Sequence, residues 1–243
     1  MVDIKIENID IPIKDDNIFL KGSIYFTEKT PPKAPWIITC AGFGYHRGSK
    51  FVKSYTERFV KAGYYVLSFD YRGHGETVRQ TGELLSKKLF DMFPKIFSDI
   101  NKVISWILEE QSNRLLEDKI ALFGRSLGGA IILTHGFIDK RAKILIALCS
   151  RYDYEIHRIK FPKELIKKIS PKWFLRKDPS NNNRILIAHC RDDETVPFEN
   201  LLHIKKHLGL NNENAIVFDT GGHSFKEHRD EIFEKSIEFL KKL

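Results

Sequence analysis

Residues 124–128 of this 243-residue chain read Gly-Arg-Ser-Leu-Gly and place Ser126 between two glycines. An apolar run precedes them and an amphipathic stretch, 127–138, follows, which predicts that the serine lies on a tight turn between a buried strand and a helix. The free N–H groups and the positive dipole end of that helix would be directed at the hydroxyl. A Cβ at position 124 or 128 would collide with the neighbouring chain. The pattern favours a nucleophilic serine over a glycine-rich loop in which Ser126 caps the helix.

A serine hydroxyl is a weak nucleophile and needs a base that a third group holds in place. Two downstream segments, each following a predicted strand, carry suitable groups. One contains three consecutive acidic residues, Asp192, Asp193 and Glu194, and the other contains His223 between a glycine pair and a helix. Serine, acid and histidine occur in the order expected for this type of sheet. His223 is therefore the predicted base, whereas His189, at a strand end beside the acids, is expected to be structural.

Acyl transfer also needs backbone N–H groups that stabilise the charge of the tetrahedral intermediate. One donor is predicted to be the N–H of Leu127, and the second that of Phe43 in the loop after strand 36–40. Glycines in that loop let the backbone approach a substrate carbonyl oxygen. Substrate contacts are predicted for residues of this loop and of the serine motif, namely Gly42, Gly44, Tyr45 and Arg125.

A further glycine-rich turn, residues 69–76, closes the strand that begins near residue 64. Asp70 and Arg72 are expected to pair with each other and to brace the neighbouring loop at 41–48. His74 is expected to belong to this turn. The turn is therefore interpreted as structural, with no contact to substrate.

These groups can meet only if the strands that carry them end at one edge of a sheet. Short apolar runs at 36–40, 64–69, 119–123, 143–148, 184–188 and 215–218 alternate with amphipathic stretches near 49–62, 91–110, 127–138, 198–208 and 225–242. Unbroken apolar runs are typical of strands buried on both faces, and the alternation predicts a doubly wound α/β fold. Segments 4–9 and 17–26 alternate in polarity and predict antiparallel edge strands. We expect one α/β domain over residues 1–243, with a mostly parallel sheet of about eight strands.

Residues 151–182 interrupt this alternation, because they contain no clear strand and three prolines. A stretch of this length between two core strands is usually functional or an insertion. A surface helix pair that fills a groove is one interpretation, and a small cap over the site is the favoured one. Tyr152 and Trp173 of this segment are predicted to contact substrate.

The composition excludes several classes of protein. Lys and Arg number 40 against 32 Asp and Glu, a net charge of +8, but the lysines are dispersed, which favours a solvated surface over a nucleic-acid face. Three cysteines without a C-x-x-C pair are too few for a disulfide framework. The first residues contain no apolar leader region, and no run approaches the roughly 18 apolar residues of a membrane span. We expect a cytoplasmic protein with a small-molecule partner and neither nucleic acid nor membrane; a homodimer stays open.

Four motifs, in order, resemble those of the α/β-hydrolases, and the resemblance covers nearly the whole chain. Residues 41–44 resemble the His-Gly-Phe-Gly oxyanion loop, and residues 70–75 are similar to the Asp-x-Arg-Gly-x-Gly turn of the serine esterase, lipase and aminopeptidase-like branch. Residues 124–128 match the nucleophile elbow, and residues 189–197 resemble His-Gly-x-x-Asp-x-x-Val-Pro, which puts the triad acid on Asp193. Ala41 and Cys190 depart from the family, which has histidine and glycine there. The family often inserts a cap after the sixth strand, and small feruloyl-esterase-like members have similarly short caps.

The motifs and the resemblance together imply a serine hydrolase with Ser126, Asp193 and His223 as its triad. We expect a carboxylesterase that cleaves small or medium acyl esters through an acyl-enzyme, without metal or cofactor. The same groups could instead cut amides, as in aminopeptidase-like enzymes, or thioesters or acylglycerols. A binding protein that kept the fold without turnover is the alternative from a different class.

Overall fold

The computed structural model describes residues 3–82 and 88–243, and eight strands of this part form one sheet. In chain order the strands are β1 (Ile4–Ile13), β2 (Ile18–Thr27), β3 (Ala34–Cys40), β4 (Tyr65–Phe69), β5 (Leu115–Arg125), β6 (Ala142–Leu148), β7 (Ile185–Cys190) and β8 (Ala215–Phe218). Their spatial order is β1-β2-β4-β3-β5-β6-β7-β8. β1 pairs with β2, and β2 with β4, in antiparallel fashion, and the other neighbours are parallel. The predicted α/β sheet with antiparallel strands at one edge is confirmed.

Helices connect the parallel strands and cover both faces of the sheet. In the described residues they are α1 (Lys50–Lys61), α2 (Gly75–Thr81), α3 (Leu89–Glu110), α4 (Leu127–Ile131), α5 (Lys163–Ile169), α6 (Asn181–Arg184), α7 (Glu199–Leu208) and α8 (Arg229–Leu240). α4 continues into a wider, π-type turn over Ile132–Gly136. No helix in residues 3–82 and 88–243 has the length and apolar character that a membrane crossing demands.

The central strands are buried on both faces, which explains their unbroken apolar runs. In β3, Ile37 packs in the cluster that contains Phe59 of α1, whereas Ile38 packs on the opposite face with Phe97 of α3. All four side chains are fully buried. Alternate residues of one strand therefore contribute to two cores, and a polar side chain on either face would lose its hydration.

The carboxyl ends of the parallel strands meet at one edge of the sheet, which is where ligands bind in open α/β folds. The loops after β3, β5, β7 and β8 all leave from this edge. Residues 151–182 lie between β6 and β7 and contain α5, a short turn at Pro171–Trp173 and the start of α6. Phe161 of this segment stacks on Phe93 of α3, with ring centroids 5.3 Å apart.

Candidate active site

Ser126 occupies a sharp turn between β5 and α4. Its φ of 59° and ψ of −117° lie in a region that side chains rarely adopt, and its N–H donates to the Leu148 carbonyl at 2.8 Å. The first hydrogen bond of the helix runs from the Ala130 N–H to the Ser126 carbonyl, at 3.0 Å. The Leu127 N–H at the start of α4 consequently has no acceptor within the helix. The turn thus sets the serine beside backbone donors that the helix does not use.

The two glycines that flank the serine allow the turn to pack against the end of β3. A Cβ at Gly128 would overlap the carbonyl oxygen of Cys40, and one at Gly124 would lie 2.8 Å from Cys40 Cβ. A main-chain atom or a Cβ cannot rotate out of the way. This close approach also brings in the loop after β3, because a Cβ built on Gly42 would lie 3.6 Å from that of Ser126.

Gly128→Ala is therefore expected to lower the free energy of unfolding by about 2 kcal/mol or more, since the backbone of β3 or α4 must move. For a chain of this size that corresponds to a fall in Tm of roughly 4–8 °C. Thermal unfolding followed by circular dichroism measures it. Gly48→Ala is the matched control, because its Cβ would meet only ring atoms of the exposed His46, at 3.3 and 3.4 Å. Equal Tm values for the two variants would contradict the packing argument.

His223 and Asp193 are joined by a short hydrogen bond. His223 lies on a 3-10 turn after β8, Gly222–Ser224, and its Nδ1 is 2.7 Å from Oδ2 of Asp193. Asp193 follows β7 and is 5% exposed. A carboxylate can only accept, so Nδ1 carries the proton and Nε2 of the neutral ring has a free lone pair. The imidazole is thereby oriented to take a proton at Nε2.

Asp192, the neighbouring acid, points at the backbone of the histidine loop. Its two carboxylate oxygens accept hydrogen bonds from the N–H groups of Gly221 and Gly222, at 3.1 and 2.8 Å. Both glycines have positive φ, 120° and 58°, a conformation that favours glycine. The two consecutive acids thus have different roles. Asp193 contacts the imidazole, and Asp192 holds the loop that carries His223.

Asp193 is kept ionised by its hydrogen bonds. Burial raises the pKa of its carboxyl, but hydrogen bonds from His189, His223 and the Val196 N–H outweigh burial and hold that pKa far below its usual range. Nε2 of His189 lies 3.2 Å from Oδ2 of Asp193 and 2.8 Å from the Val196 carbonyl. His189 is fully enclosed and helps to fix the acid, which agrees with the structural role predicted for it.

Cys149, which sequence reasoning did not place at the site, is buried directly behind the acid. Its sulfur and the polar atoms of Asp193 and His223 all lie within 4.8 Å of one another, a grouping that could hold a metal. Burial, together with the Asp193 carboxylate, raises the pKa of the Cys149 thiol well above its ordinary value. A protonated thiol is a poor metal ligand, and Asp193 and His223 already bond each other. We assign no metal to this group.

The loop after β3 is held by the turn at residues 69–76. The Gly44 N–H donates to Nε2 of His74 at 3.2 Å, and the Arg47 N–H donates to Asp70 Oδ1 at 2.7 Å. The Phe43 N–H, which directly precedes the first of these anchors, bonds to no residue in the described part of the chain. Two anchors therefore fix the loop while leaving the Phe43 donor free.

Asp70 and Arg72 do not pair with each other, which corrects the sequence expectation. The Arg47 guanidinium bonds to Asp70, whereas Arg72 lies beside Asp99 of α3, with its Nε 2.6 Å from Oδ2. The two side chains, two residues apart in the turn, point in different directions, so they find partners on separate elements. Asp70 still braces the loop as predicted, but through Arg47, a residue whose role the sequence did not reveal.

A cavity of about 400 Å³ opens at this edge of the sheet, and both Ser126 and His223 line it. Of the predicted contact residues, Gly42, Phe43, Tyr45, Arg125 and Leu127 also line it. Residues that the sequence did not single out complete the wall, namely Phe93, Arg151, Tyr154, His157, Arg158, Ile159, Phe161, Thr195 and Val196.

Within the described residues no hydrogen bond joins the Ser126 hydroxyl to His223, and such bonds often tighten only when substrate binds.

Three residues predicted to contact substrate lie away from the cavity. Gly44 is turned towards His74 with φ of 75°. Tyr152 packs on α7, where its hydroxyl is 3.0 Å from Nδ1 of His207. Trp173 is 48% exposed and borders a separate surface depression with Phe174. The aromatic residues of the segment that reach the cavity are Tyr154 and Phe161 instead.

Residues 31–200, well over half of the chain, match the protein family described as serine aminopeptidase, S33. The chain belongs to this family of α/β-hydrolases. Since the matched region begins just before β3 and runs through β7, it includes the nucleophile turn and Asp193. The predicted resemblance to the α/β-hydrolases is thereby confirmed.

Curated relatives align with part of this S33-family chain. An uncharacterized 31.7 kDa protein in the traX-finO intergenic region of Escherichia coli is 30% identical over 140 residues, which are 56% of this chain and 46% of that protein. The quorum-quenching protein AidA of Acinetobacter baumannii is 27% identical over 140 residues, 57% of this chain and 43% of AidA. The alignments thus span less than half the length of these relatives.

Solved structures resemble the whole S33-family chain in fold. The esterase Est1E of Butyrivibrio proteoclasticus, solved with ferulic acid bound, superposes with a TM-score of 0.73 at 20% identity, covering 96% of this chain and 98% of Est1E. The Pyrococcus furiosus esterase Pf2001 superposes with a TM-score of 0.68 at 19% identity, covering 98% of this chain and 93% of Pf2001. At these identities the likeness concerns the fold.

Proposed function

We propose that this protein is a serine carboxylesterase that cleaves small or medium acyl esters. The observation that supports this most is the 2.7 Å hydrogen bond between His223 Nδ1 and Asp193, on an imidazole that shares a cavity with Ser126. This arrangement supplies a base with a free nitrogen in the same cavity as a serine on a strained turn. Both esterases named above share the fold, which is consistent with the proposal.

In the proposed reaction Ser126 Oγ attacks the ester carbonyl while His223 Nε2 takes the hydroxyl proton. The oxyanion of the tetrahedral intermediate accepts hydrogen bonds from the Phe43 and Leu127 N–H groups. His223 then returns the proton to the leaving alcohol, and an acyl-enzyme remains on Ser126. Water, deprotonated by His223, attacks the acyl-enzyme and releases the carboxylic acid. Asp193 holds the ring in one tautomer and stabilises the imidazolium in both half-reactions.

An amide substrate is the second candidate, favoured by the family match to serine aminopeptidases. An aminopeptidase has to recognise the positively charged amine of its substrate, for which a carboxylate is the natural partner. Among the described residues that line the cavity there is no aspartate or glutamate. The lining therefore favours a neutral or acidic ester over an amino-terminal amide.

A panel of 4-nitrophenyl esters of increasing acyl length, assayed beside amino-acyl 4-nitroanilides, tests the proposal. We expect hydrolysis of the esters, with the highest kcat/KM at short or medium chains, because a cavity of about 400 Å³ holds a small ligand. Faster cleavage of the anilides than of every ester would favour the aminopeptidase, and cleavage of neither class would favour a binding protein.

Activity is expected to fall as the pH is lowered, because a protonated imidazole cannot act as a base. Asp193 does not cause this fall, since its depressed pKa keeps it ionised. A carboxyl with a depressed pKa stabilises the fold above its ordinary pKa and loses that contribution only as pH drops through the lowered value. Plotting kcat/KM against pH, with circular dichroism at each pH, separates activity from unfolding. A flat profile down to pH 4 would contradict the role of His223.

A further inference from the structure

The cavity that holds Ser126 is strongly cationic. Arg151 and Arg158 reach it from the segment 151–182, and Arg125 reaches it from the nucleophile turn. In the part of the chain that the structure describes, no carboxylate lies within ion-pair distance of these three arginines, and no acidic side chain lines the cavity. Clustered positive charge that is not paired with carboxylates is the usual character of an anion-binding site.

Arg151 is half-buried and its guanidinium is largely unsatisfied. The group donates from one terminal nitrogen to the Thr195 carbonyl at 3.2 Å and lies 6.0 Å from the centre of the Tyr154 ring. A guanidinium has five N–H donors in a planar fork, and the others bond to no described residue. Asp193 acts on this charge from a distance but is already bonded to two histidines. Burial lowers the pKa of Arg151, which reflects the cost of keeping the charge there.

Arg125 adds a second buried charge. It is 6% exposed and stacks on Phe51, with its central carbon 4.3 Å from the ring centre. Its Nε is buried without a hydrogen-bond partner in the described residues, and one terminal nitrogen donates weakly to the His223 carbonyl at 3.4 Å. A buried cation without a counter-ion is destabilising, so a negative charge bound in this cavity would be favoured.

Aromatic side chains form another part of the same cavity wall, next to Arg151. Phe93, Tyr154 and Phe161 contact one another there, with centroid separations of 5.3 to 6.0 Å. A ligand that fits both parts has an apolar body and one anionic end. Arg158 is exposed, so it is suited to attract such a ligand, whereas Arg151 is the charge that binding would desolvate.

We propose that the substrate is an ester that carries an anionic oxygen group, a carboxylate or a phosphate, which Arg151 binds while its apolar body packs against Phe93 and Phe161. This rests on the proposed esterase function and deepens it. The negative charge lies on the substrate outside the reacting ester, because the same cavity also contains the Ser126 and His223 side chains. Arg151 would therefore determine which esters are accepted.

Two esters that differ by one charge and one methyl group test the proposal: mono-(4-nitrophenyl) glutarate and its methyl-capped form, methyl 4-nitrophenyl glutarate. The wild type is expected to show kcat/KM about tenfold or more higher for the charged ester, since charge-assisted hydrogen bonds are the strong ones. Arg151→Gln should bring this ratio close to one, mainly through KM, and Arg151→Lys should restore part of it. The ratio is insensitive to a general loss of active protein.

Arg176→Gln is the matched control, because it removes the same charge from the same segment. Arg176 bonds to the carbonyls of Trp173 and Leu175 and does not line the cavity. Its ratio should equal that of the wild type. A wild-type ratio near one, or equal ratios in Arg151→Gln and the wild type, would overturn the proposal.

Competition identifies the anion. Monomethyl glutarate and methyl phosphate are added to the assay of the neutral ester, and stronger inhibition by one of them assigns the site to a carboxylate or to a phosphate. Absence of inhibition by both would count against an anion site. If the wild type cleaves neither ester, titration calorimetry of Ser126→Ala with mono-(4-nitrophenyl) glutarate decides. Binding that disappears when Arg151→Gln is added to this variant would keep the anion site and reject the esterase. Absence of binding to Ser126→Ala would reject the anion site.

Discussion

Replacing Ser126 with alanine is expected to lower kcat/KM for 4-nitrophenyl esters by roughly 10⁴-fold or more, because the atom that forms the acyl-enzyme is removed. The fold should persist, since the backbone of the turn is held by the Leu148 carbonyl and by the start of α4 and not by the hydroxyl. Alanine adds no atoms, but it must adopt the same φ of 59°. Steady-state assays with circular dichroism of the same samples measure both effects.

A fluorophosphonate probe gives an independent readout of the same prediction. It should label the wild type and Ser98→Ala, and it should fail to label Ser126→Ala. Ser98 is a suitable control because its hydroxyl bonds to the Lys95 carbonyl on α3, away from the cavity. Ester hydrolysis that is undiminished in Ser126→Ala would reject Ser126 as the nucleophile, and labelling of that variant would reveal another reactive residue.

Asp193→Asn is expected to lower kcat by roughly 10³- to 10⁴-fold through the tautomer of His223. Oδ1 of Asp193 accepts from the Thr195 and Val196 N–H groups, both at 2.9 Å, and an asparagine oxygen can keep both bonds. The amide nitrogen then takes the place of Oδ2 and donates to Nδ1. His223 would carry its proton on Nε2, where it cannot accept one from Ser126.

Asp192→Asn is the matched control, because it makes the same chemical change one residue before Asp193. It retains one of the two hydrogen bonds to the Gly221 and Gly222 N–H groups and leaves Asp193 on the imidazole. We expect less than a tenfold loss of kcat, because the change only weakens the positioning of the loop that carries His223. Should Asp192→Asn prove the more damaging variant, the acid would have to be reassigned to Asp192.

The arrangement of strands and helices could be predicted because its signals are local. An unbroken run such as 36–40 is apolar because β3 is covered on both faces. The apolar character of each residue in the run is therefore a direct sign that the residue is buried. Ser126 is recognisable for a similar reason. Gly124 and Gly128 must lack a Cβ where the turn meets β3. This packing constraint is therefore visible in the sequence as two glycines within two residues of Ser126.

The acid could not be chosen from spacing, because Asp192, Asp193 and Glu194 are consecutive and chemically alike. The decision depends on where β8 places His223, which is 30 residues further along the chain. Hydrogen-bond direction is a property of the folded loops, so Asp193 meets the ring and Asp192 meets the backbone. The family resemblance supplied the register that the residues themselves did not.

The walls of the cavity were also decided by tertiary packing. Tyr152 and Trp173 were predicted to contact substrate because they are aromatic and lie in the segment 151–182, yet Tyr154 and Phe161 of the same segment face the cavity. Phe93 reaches the cavity from α3. Tertiary packing also decided that Asp70 forms its ion pair with Arg47 and not with Arg72. The sequence alone thus determined the sheet, the serine turn and the histidine, whose constraints act between near neighbours. Only the folded chain determined the acid's direction, the loop anchors and the cationic lining, because each depends on which side chains distant segments bring into contact.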